Sequence, residues 1–131
     1  MGIAILSTKF HKDQIELMLK AARDEASKLG LEISKEEFVP GSMEQPLALK
    51  RLLQQPDIKG VVVLGIIEKG ETKHGLVMAQ AVNEAIIRLS LEFDKPLGVG
   101  ILGPEILPNQ IPQRLEPYAR AAVVALHTML L

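Results

Sequence analysis

The segment Gly65-Ile-Ile-Glu-Lys-Gly-Glu-Thr-Lys-His74 holds the residues best suited to chemistry. Gly70 permits a tight backbone path, and Thr72 is a natural cap for a helix that follows. The backbone N–H groups of Gly70, Glu71, Thr72 and Lys73 would then converge beside a helix N-terminus. Such a place suits a phosphate, because its amides lack partners and the helix dipole is positive there. Lys69 and Lys73 can add charge. His74 falls in the first helical turn, where an imidazole beside the anion can move protons near neutral pH. The plainer reading is a capped helix with a surface histidine.

Three further segments carry polar or aromatic groups at turns. In Val39-Pro-Gly-Ser-Met-Glu-Gln-Pro46 the Pro40-Gly41 pair forces a turn. Ser42 and Glu44 then offer a hydroxyl and a carboxylate that a polyol ligand would use. Alternatively, Ser42 caps a helix and Glu44 sits near its dipole. In Thr8-Lys9-Phe10-His11, Phe10 can stack on a planar heterocycle or fold over the core edge. His11 reads as a solvent-exposed loop residue. In Pro112-Gln-Arg114, the planar fork of Arg114 can reach a phosphate or pair with Glu105 or Glu116. Arg120 is a weaker candidate, and His127 reads as structural.

Composition removes other chemistries. There is no cysteine, so disulfides, thiolate catalysis and cysteine-based metal sites are out. The three histidines lack metal-ligand spacing, and no metal site is expected. No P-loop or dinucleotide-binding glycine pattern appears. A net charge of −1 argues against a nucleic-acid surface or an anionic-lipid surface. No apolar run approaches a membrane span, and the first residues lack the pattern of a signal peptide. A cytoplasmic location is the expectation. The chain has 131 residues, 47% of them apolar, which fits one domain over 1–131. Aromatics are only 3%, so the core must be aliphatic.

The elements that must position these loops follow from periodicity. Gly2 to Ser7 reads as a short buried strand. Lys12 to Leu29 reads as a helix with Ile15, Met18, Leu19, Ala22, Ala26 and Leu29 on one face and a Gly30 C-terminal cap. Leu31 to Val39 is a more polar edge strand. Pro46 to Gln54 is a short helix closed by Pro56. Gly60 to Gly65 is a central strand, apolar on both faces. Thr72 to Phe93 is a long helix, Pro96 to Leu102 a fourth strand, and Gly103 to Asn109 a loop. Gln110 to Leu131 is a terminal helix in which Pro117 should kink or divide the run. This alternation predicts an α/β fold: a three-layer α/β/α sandwich with a four-stranded parallel sheet, flavodoxin-like. Ligands bind such sheets beyond the carboxyl ends of the strands. The four loops above lie there.

Taken together, the motifs resemble the lumazine synthase family. Val39 to Pro46 is similar to its V-P-G turn, and Leu64 to His74 to its L-G-x-V-I-x-G-x-T-x-H run. Lys95-Pro96 with Gly100-Ile-Leu102 resembles its last strand, and Gln113-Arg114 the region that closes its phosphate site. The resemblance implies a cofactor-free reaction that condenses 5-amino-6-(D-ribitylamino)uracil with 3,4-dihydroxy-2-butanone 4-phosphate in riboflavin biosynthesis. It implies His74 and Arg114 as catalytic residues, with Gly70, Glu71, Thr72, Lys73 and Arg114 on the phosphate. Phe10 would stack on the pyrimidine. Ser42, Met43 and Glu44 would hold the ribityl chain. Backbone groups of Ile66 and Ile67 would read the uracil edge. It further implies small-molecule substrates only and a homo-oligomer, a pentamer or a sixty-subunit shell of pentamers, with sites between subunits.

The chain departs from the family pattern in places. Val99 stands where many relatives place a phenylalanine that covers the pyrimidine from a neighbouring subunit. His11 stands where asparagine is usual, and Met43 where phenylalanine is common. Glu68-Lys69 is unusually charged, and Gly103 to Asn109 is proline-rich. The rival readings are an archaeal-type riboflavin synthase, a non-catalytic flavin- or lumazine-binding cage protein, and a flavodoxin-like regulatory domain. The phosphate-suited loop disfavours the first. The thinner aromatic clamp is the one support for the second. The third would need clustered aspartates at the strand ends.

Overall fold

The computed structural model describes residues 2–130. Four strands alternate with four α-helices: β1 (Gly2–Thr8), α1 (Lys12–Lys28), β2 (Ile33–Val39), α2 (Gln45–Leu53), β3 (Ile58–Glu68), α3 (His74–Phe93), β4 (Leu97–Ile106) and α4 (Leu115–Met129). Short 3-10 turns at Ser42–Glu44, Pro108–Gln110 and Pro112–Arg114 precede α2 and α4. The strands form one parallel sheet in the order β2-β1-β3-β4. This is the flavodoxin-like α/β/α sandwich expected from the alternation.

Each central strand divides its side chains between two cores. Ile3, Ile5, Val62 and Leu64 pack with α1 and α4. Ala4, Leu6, Val61 and Val63 pack with α2 and α3. That two-sided burial is why β1 and β3 read as unbroken apolar runs. Helix α1 buries Ile15, Met18, Leu19, Ala22 and Ala26 of the stripe its periodicity marks, while Leu29 is its C-cap residue and only partly buried. It ends at Gly30 with φ 71°, where the Leu31 N–H reaches back to the Ala26 carbonyl at 2.9 Å. Glycine carries no steric cost at that left-handed position.

The β4–α4 half differs from expectation. β4 does not stop at Leu102. It runs on to Ile106, and Glu68 on β3 pairs with Ile106 after a register shift. The segment Gly103 to Ile106, expected as the first part of a loop, is therefore strand. Gly103, at φ 103°, lies where a Cβ would collide with the Ile67 carbonyl. The terminal helix starts at Leu115, not Gln110. Pro117 then occupies the third helical position, where its missing N–H has no intrahelical partner to lose, so no kink arises. The expected end at Leu131 lies outside the described residues.

Helix α4 lies unusually close to β4. A Cβ at Gly98 would strike the Ala122 carbonyl, and one at Gly100 would come within 3.1 Å of the Tyr118 carbonyl. Glycines on the strand thus let the helix backbone rest almost directly on the sheet. No helix among the described residues is long and apolar enough to cross a membrane.

Candidate functional site

Beyond the carboxyl ends of β1 and β3 lies a cleft of about 530 Å³. Four segments form it: the loop after β1, the turn before α2, the end of β3 and the start of α3. Phe10 stands at its mouth with 67% of its surface exposed. The residue does not fold over the core edge. Thr8 Oγ1 donates to the Phe10 carbonyl at 3.2 Å, and the Phe10 N–H donates to the Pro40 carbonyl at 3.3 Å. The loop after β1 is therefore tied to the Pro40-Gly41 turn.

That turn places Ser42, Met43 and Glu44 on the cleft wall. Ser42 is buried and makes no side-chain cap. Glu44 instead turns back, its Oε1 accepting the Gly41 N–H at 2.9 Å. Met43 projects outward and is 61% exposed. Ile66 and Ile67 line the cleft while their side chains stay buried in the two cores. They offer a ligand backbone edge more than side chain.

Gly70, Thr72 and His74 close the opposite wall. α3 starts at His74, two residues later than expected, with Lys73 as its cap residue. Thr72 still caps with its side chain: Oγ1 accepts the His74 N–H at 3.3 Å. The N–H groups of Gly70, Glu71, Thr72 and Lys73 donate to no acceptor among the described residues. They precede a helix of 20 residues, so an anion there meets free amides and a positive dipole end. Lys69 also lines the cleft, but its Nζ is 3.5 Å from Glu105 Oε2, which offsets its charge. Glu71 and Lys73 do not line the cleft with their side chains.

Two expected site residues stand elsewhere. Arg114 ends the 3-10 turn before α4, where its Nη1 donates to the Gln110 carbonyl at 2.8 Å. Neither Glu105 nor Glu116 pairs with it among the described residues. Val99 lies on β4, the open edge of the sheet, in a shallow depression beside Tyr118, Ala121, Ala122 and Ala125 of α4. Val99, Tyr118 and Val124 are 44%, 43% and 43% exposed. Within one chain, neither Arg114 nor Val99 reaches the cleft.

Arg120 is not a ligand-facing residue. Its Nη1 lies 2.8 Å from Asp24 and 3.1 Å from Glu25, joining α4 to α1. The hydrogen bond from Arg120, aided by Lys28, holds the Asp24 carboxyl below the usual range. His127 is exposed in the last turn of α4.

The structure adds residues that sequence reasoning did not place. His11 is not an open loop residue: its side chain is 14% exposed and lines the cleft, with Nδ1 3.5 Å from Glu68 Oε1. The charge of Glu68 at the end of an apolar strand is the signal that marks it. Gln45 is fully buried under the cleft floor, its Nε2 donating to the Leu64 carbonyl at 2.9 Å. This bond fastens the start of α2 to the central strand. Nothing in the sequence around Gln45 signals it.

The arrangement can hold a planar ring at Phe10, a polyol along Ser42 to Glu44 and a phosphate at Gly70 to Lys73, with His74 nearby. Comparison with known proteins places the chain in a family. The family model described as 6,7-dimethyl-8-ribityllumazine synthase matches residues 1–131. The chain is 41% identical to the 6,7-dimethyl-8-ribityllumazine synthase of Staphylothermus marinus over 128 residues, 98% of this chain and 85% of the relative. It is 43% identical to that of Metallosphaera sedula over 121 residues, 92% of this chain and 80% of the relative. It is 38% identical to that of Methanococcus maripaludis over 123 residues, 94% of this chain and 89% of the relative.

Proposed function

From the premise that the chain belongs to the 6,7-dimethyl-8-ribityllumazine synthase family, we propose that it condenses 5-amino-6-(D-ribitylamino)uracil with 3,4-dihydroxy-2-butanone 4-phosphate. The observation that carries this reading is the cleft itself. It gathers an exposed aromatic ring, a polar turn, and a histidine beside unpartnered amides at a helix N-terminus. A riboflavin synthase acting on two lumazines would have no use for the last of these.

In this reaction the 5-amino group attacks the ketone carbonyl, and water leaves as the imine forms. Phosphate is then eliminated. The ribityl-bearing nitrogen closes the second ring, and a second water leaves. The amides of Gly70, Glu71, Thr72 and Lys73 hold the phosphate, and Arg114 completes that site. His74 moves the proton lost at the carbon next to the imine and the proton taken up on phosphate release. Phe10 stacks on the pyrimidine, while Ser42, Met43 and Glu44 hold the ribityl chain. Backbone groups of Ile66 and Ile67 read the uracil edge. Holding two reactants together supplies most of the acceleration.

The placement of Arg114 and Val99 supports sites shared between subunits. Val99 lies on the β4–α4 edge beside exposed apolar side chains that a partner would cover, and Arg114 stands in the turn that leads into α4. A pentamer, alone or within a sixty-subunit shell, would bring that edge to a neighbour's cleft.

The test is absorbance of the lumazine product when the protein meets both substrates. Wild type should exceed the uncatalysed rate. His74→Ala should lower kcat by about a hundredfold, the usual scale of acid–base catalysis. Arg114→Ala should raise KM for the phosphate substrate about tenfold or more, the scale of a charged hydrogen bond. A wild-type rate equal to background, with a flavin still bound, would overturn the synthase reading in favour of a non-catalytic binder.

A further inference from the structure

The two departures from the family pattern nearest the ring site, His11 and Glu68, touch each other. Resting on the proposed function, we propose that they form a strut across the cleft that sets the orientation of Phe10 and so tunes affinity for the pyrimidine.

The backbone of this loop is already fixed. The Lys9 N–H donates to the Val39 carbonyl at 2.8 Å, and Phe10 is held at both its N–H and its carbonyl. The Phe10 ring is not fixed in that way, being two-thirds exposed. Its aromatic neighbour among the described residues is the His11 imidazole, with ring centroids 4.6 Å apart and planes at 75°. This edge-to-face geometry is a favoured one. His11 in turn sits at φ 60°, a left-handed conformation that a non-glycine residue adopts only when its surroundings hold it. The His11 carbonyl accepts the Ile15 N–H at 2.9 Å as α1 begins, and Glu68 adds the side-chain contact at 3.5 Å. It comes from a rigid anchor: Glu68 pairs with Ile106 of β4, and the next N–H, of Lys69, donates to the Ile106 carbonyl at 2.9 Å. Order thus passes from the sheet through Glu68 and His11 to the ring of Phe10. His11 and Glu68 are positioning residues that act on the pyrimidine through Phe10.

The experiment is calorimetric binding of 5-amino-6-(D-ribitylamino)uracil alone, with steady-state kinetics alongside, for His11→Ala, Glu68→Ala, the double variant and Glu68→Gln. Each alanine variant should weaken pyrimidine binding and raise its KM about fivefold, the scale of one aromatic contact. The KM for the phosphate substrate should stay near wild type, and kcat should move less than the pyrimidine KM. The double variant should be no worse than either single one, because both break the same strut. Glu68→Gln, which keeps the contact, should restore most of the affinity. Additive losses, or pyrimidine binding equal to wild type in both alanine variants, would overturn the strut. Glu68 lies at the solvent edge of the cleft, so its variants test the idea even if His11→Ala misfolds. No turnover, with the coupling in binding intact, would remove the synthase reading and keep the strut. Normal turnover with unaltered binding would do the reverse.

Discussion

The cleft and the β4–α4 edge belong to the same sheet but are built to opposite ends. In the cleft, the loop after β1 is hydrogen-bonded to the turn before α2, Gln45 of α2 is bonded to Leu64 of β3, and the turns at Gly41 and Thr72 each carry a bond of their own. Phe10, Ser42 and His74 are brought together inside a single chain. At the edge, Arg114 reaches back to the Gln110 carbonyl of the preceding turn, and Val99 lies open beside Tyr118. The cleft is organised within one chain. The edge holds groups that find no target within the chain. The difference teaches that one chain completes the cleft but leaves Arg114 and Val99 apart from it, as the proposed sharing of sites between subunits requires.

Co-assembly is the sharpest way to break that comparison. Neither His74→Ala nor Arg114→Ala protein alone should reach wild-type activity. Unfolding and reassembling them together in equal amounts should regain roughly a quarter of it, because random mixing pairs an intact cleft with an intact edge about that often. Recovery absent from a demonstrably mixed assembly would place both residues in one chain's site. A smaller effect sharpens the contrast at the edge. Val99→Phe should lower the KM for the pyrimidine about two- to tenfold, the scale of an added aromatic contact. The gain should appear only in assembled protein. An equal gain in dissociated subunits, separated by sedimentation, would contradict the division.

The smallest effect belongs to the opposite edge of the sheet, which serves as a control. On β2, Glu36 takes two hydrogen bonds from the Arg23 guanidinium, at 2.8 and 2.6 Å. That guanidinium holds the Glu36 carboxyl below the usual carboxylate range, against an opposing effect of burial. A lowered carboxyl favours the folded state above its unfolded pKa and loses that benefit as pH falls through the folded one. Glu36→Gln should therefore cost ~0.5 kcal/mol near neutral pH, as partly exposed pairs do. In denaturant titrations the gap to wild type should close in acid, while oligomeric state and turnover stay unchanged. A gap that widens in acid would contradict the assignment.

The cleft side was the more legible of the two regions in sequence. Continuous apolar runs marked β1 and β3, and the stripe of α1 with Gly30 marked that helix and its end. The glycine and capping threonine before His74 marked the anion-suited turn, shifted by two residues at the helix start. These signals are local, so sequence carries them. The edge side was misread because its structure is set from a distance. Gly103 to Ile106 has loop composition, yet β3 pairs with its end and holds it as strand. Pro117 reads as a helix breaker only while the start of the helix is unknown. Arg120 and the pair of His11 with Glu68 make contacts across elements, which spacing along the chain does not reveal.

The contact between Gly98 and the backbone of Ala122 has a consequence for how this sequence can change over time. Most positions on β4 can exchange one side chain for another and let neighbours adjust. Position 98 has no such freedom, because the atom in its way is a carbonyl of the helix itself. Any heavier residue there must lift α4 off the strand and carry Tyr118, Ala121 and Ala125 with it. A mutation on the inner side of the sheet edge would thus register on its outer side, as a chain that folds but presents an altered face at Val99 and Tyr118.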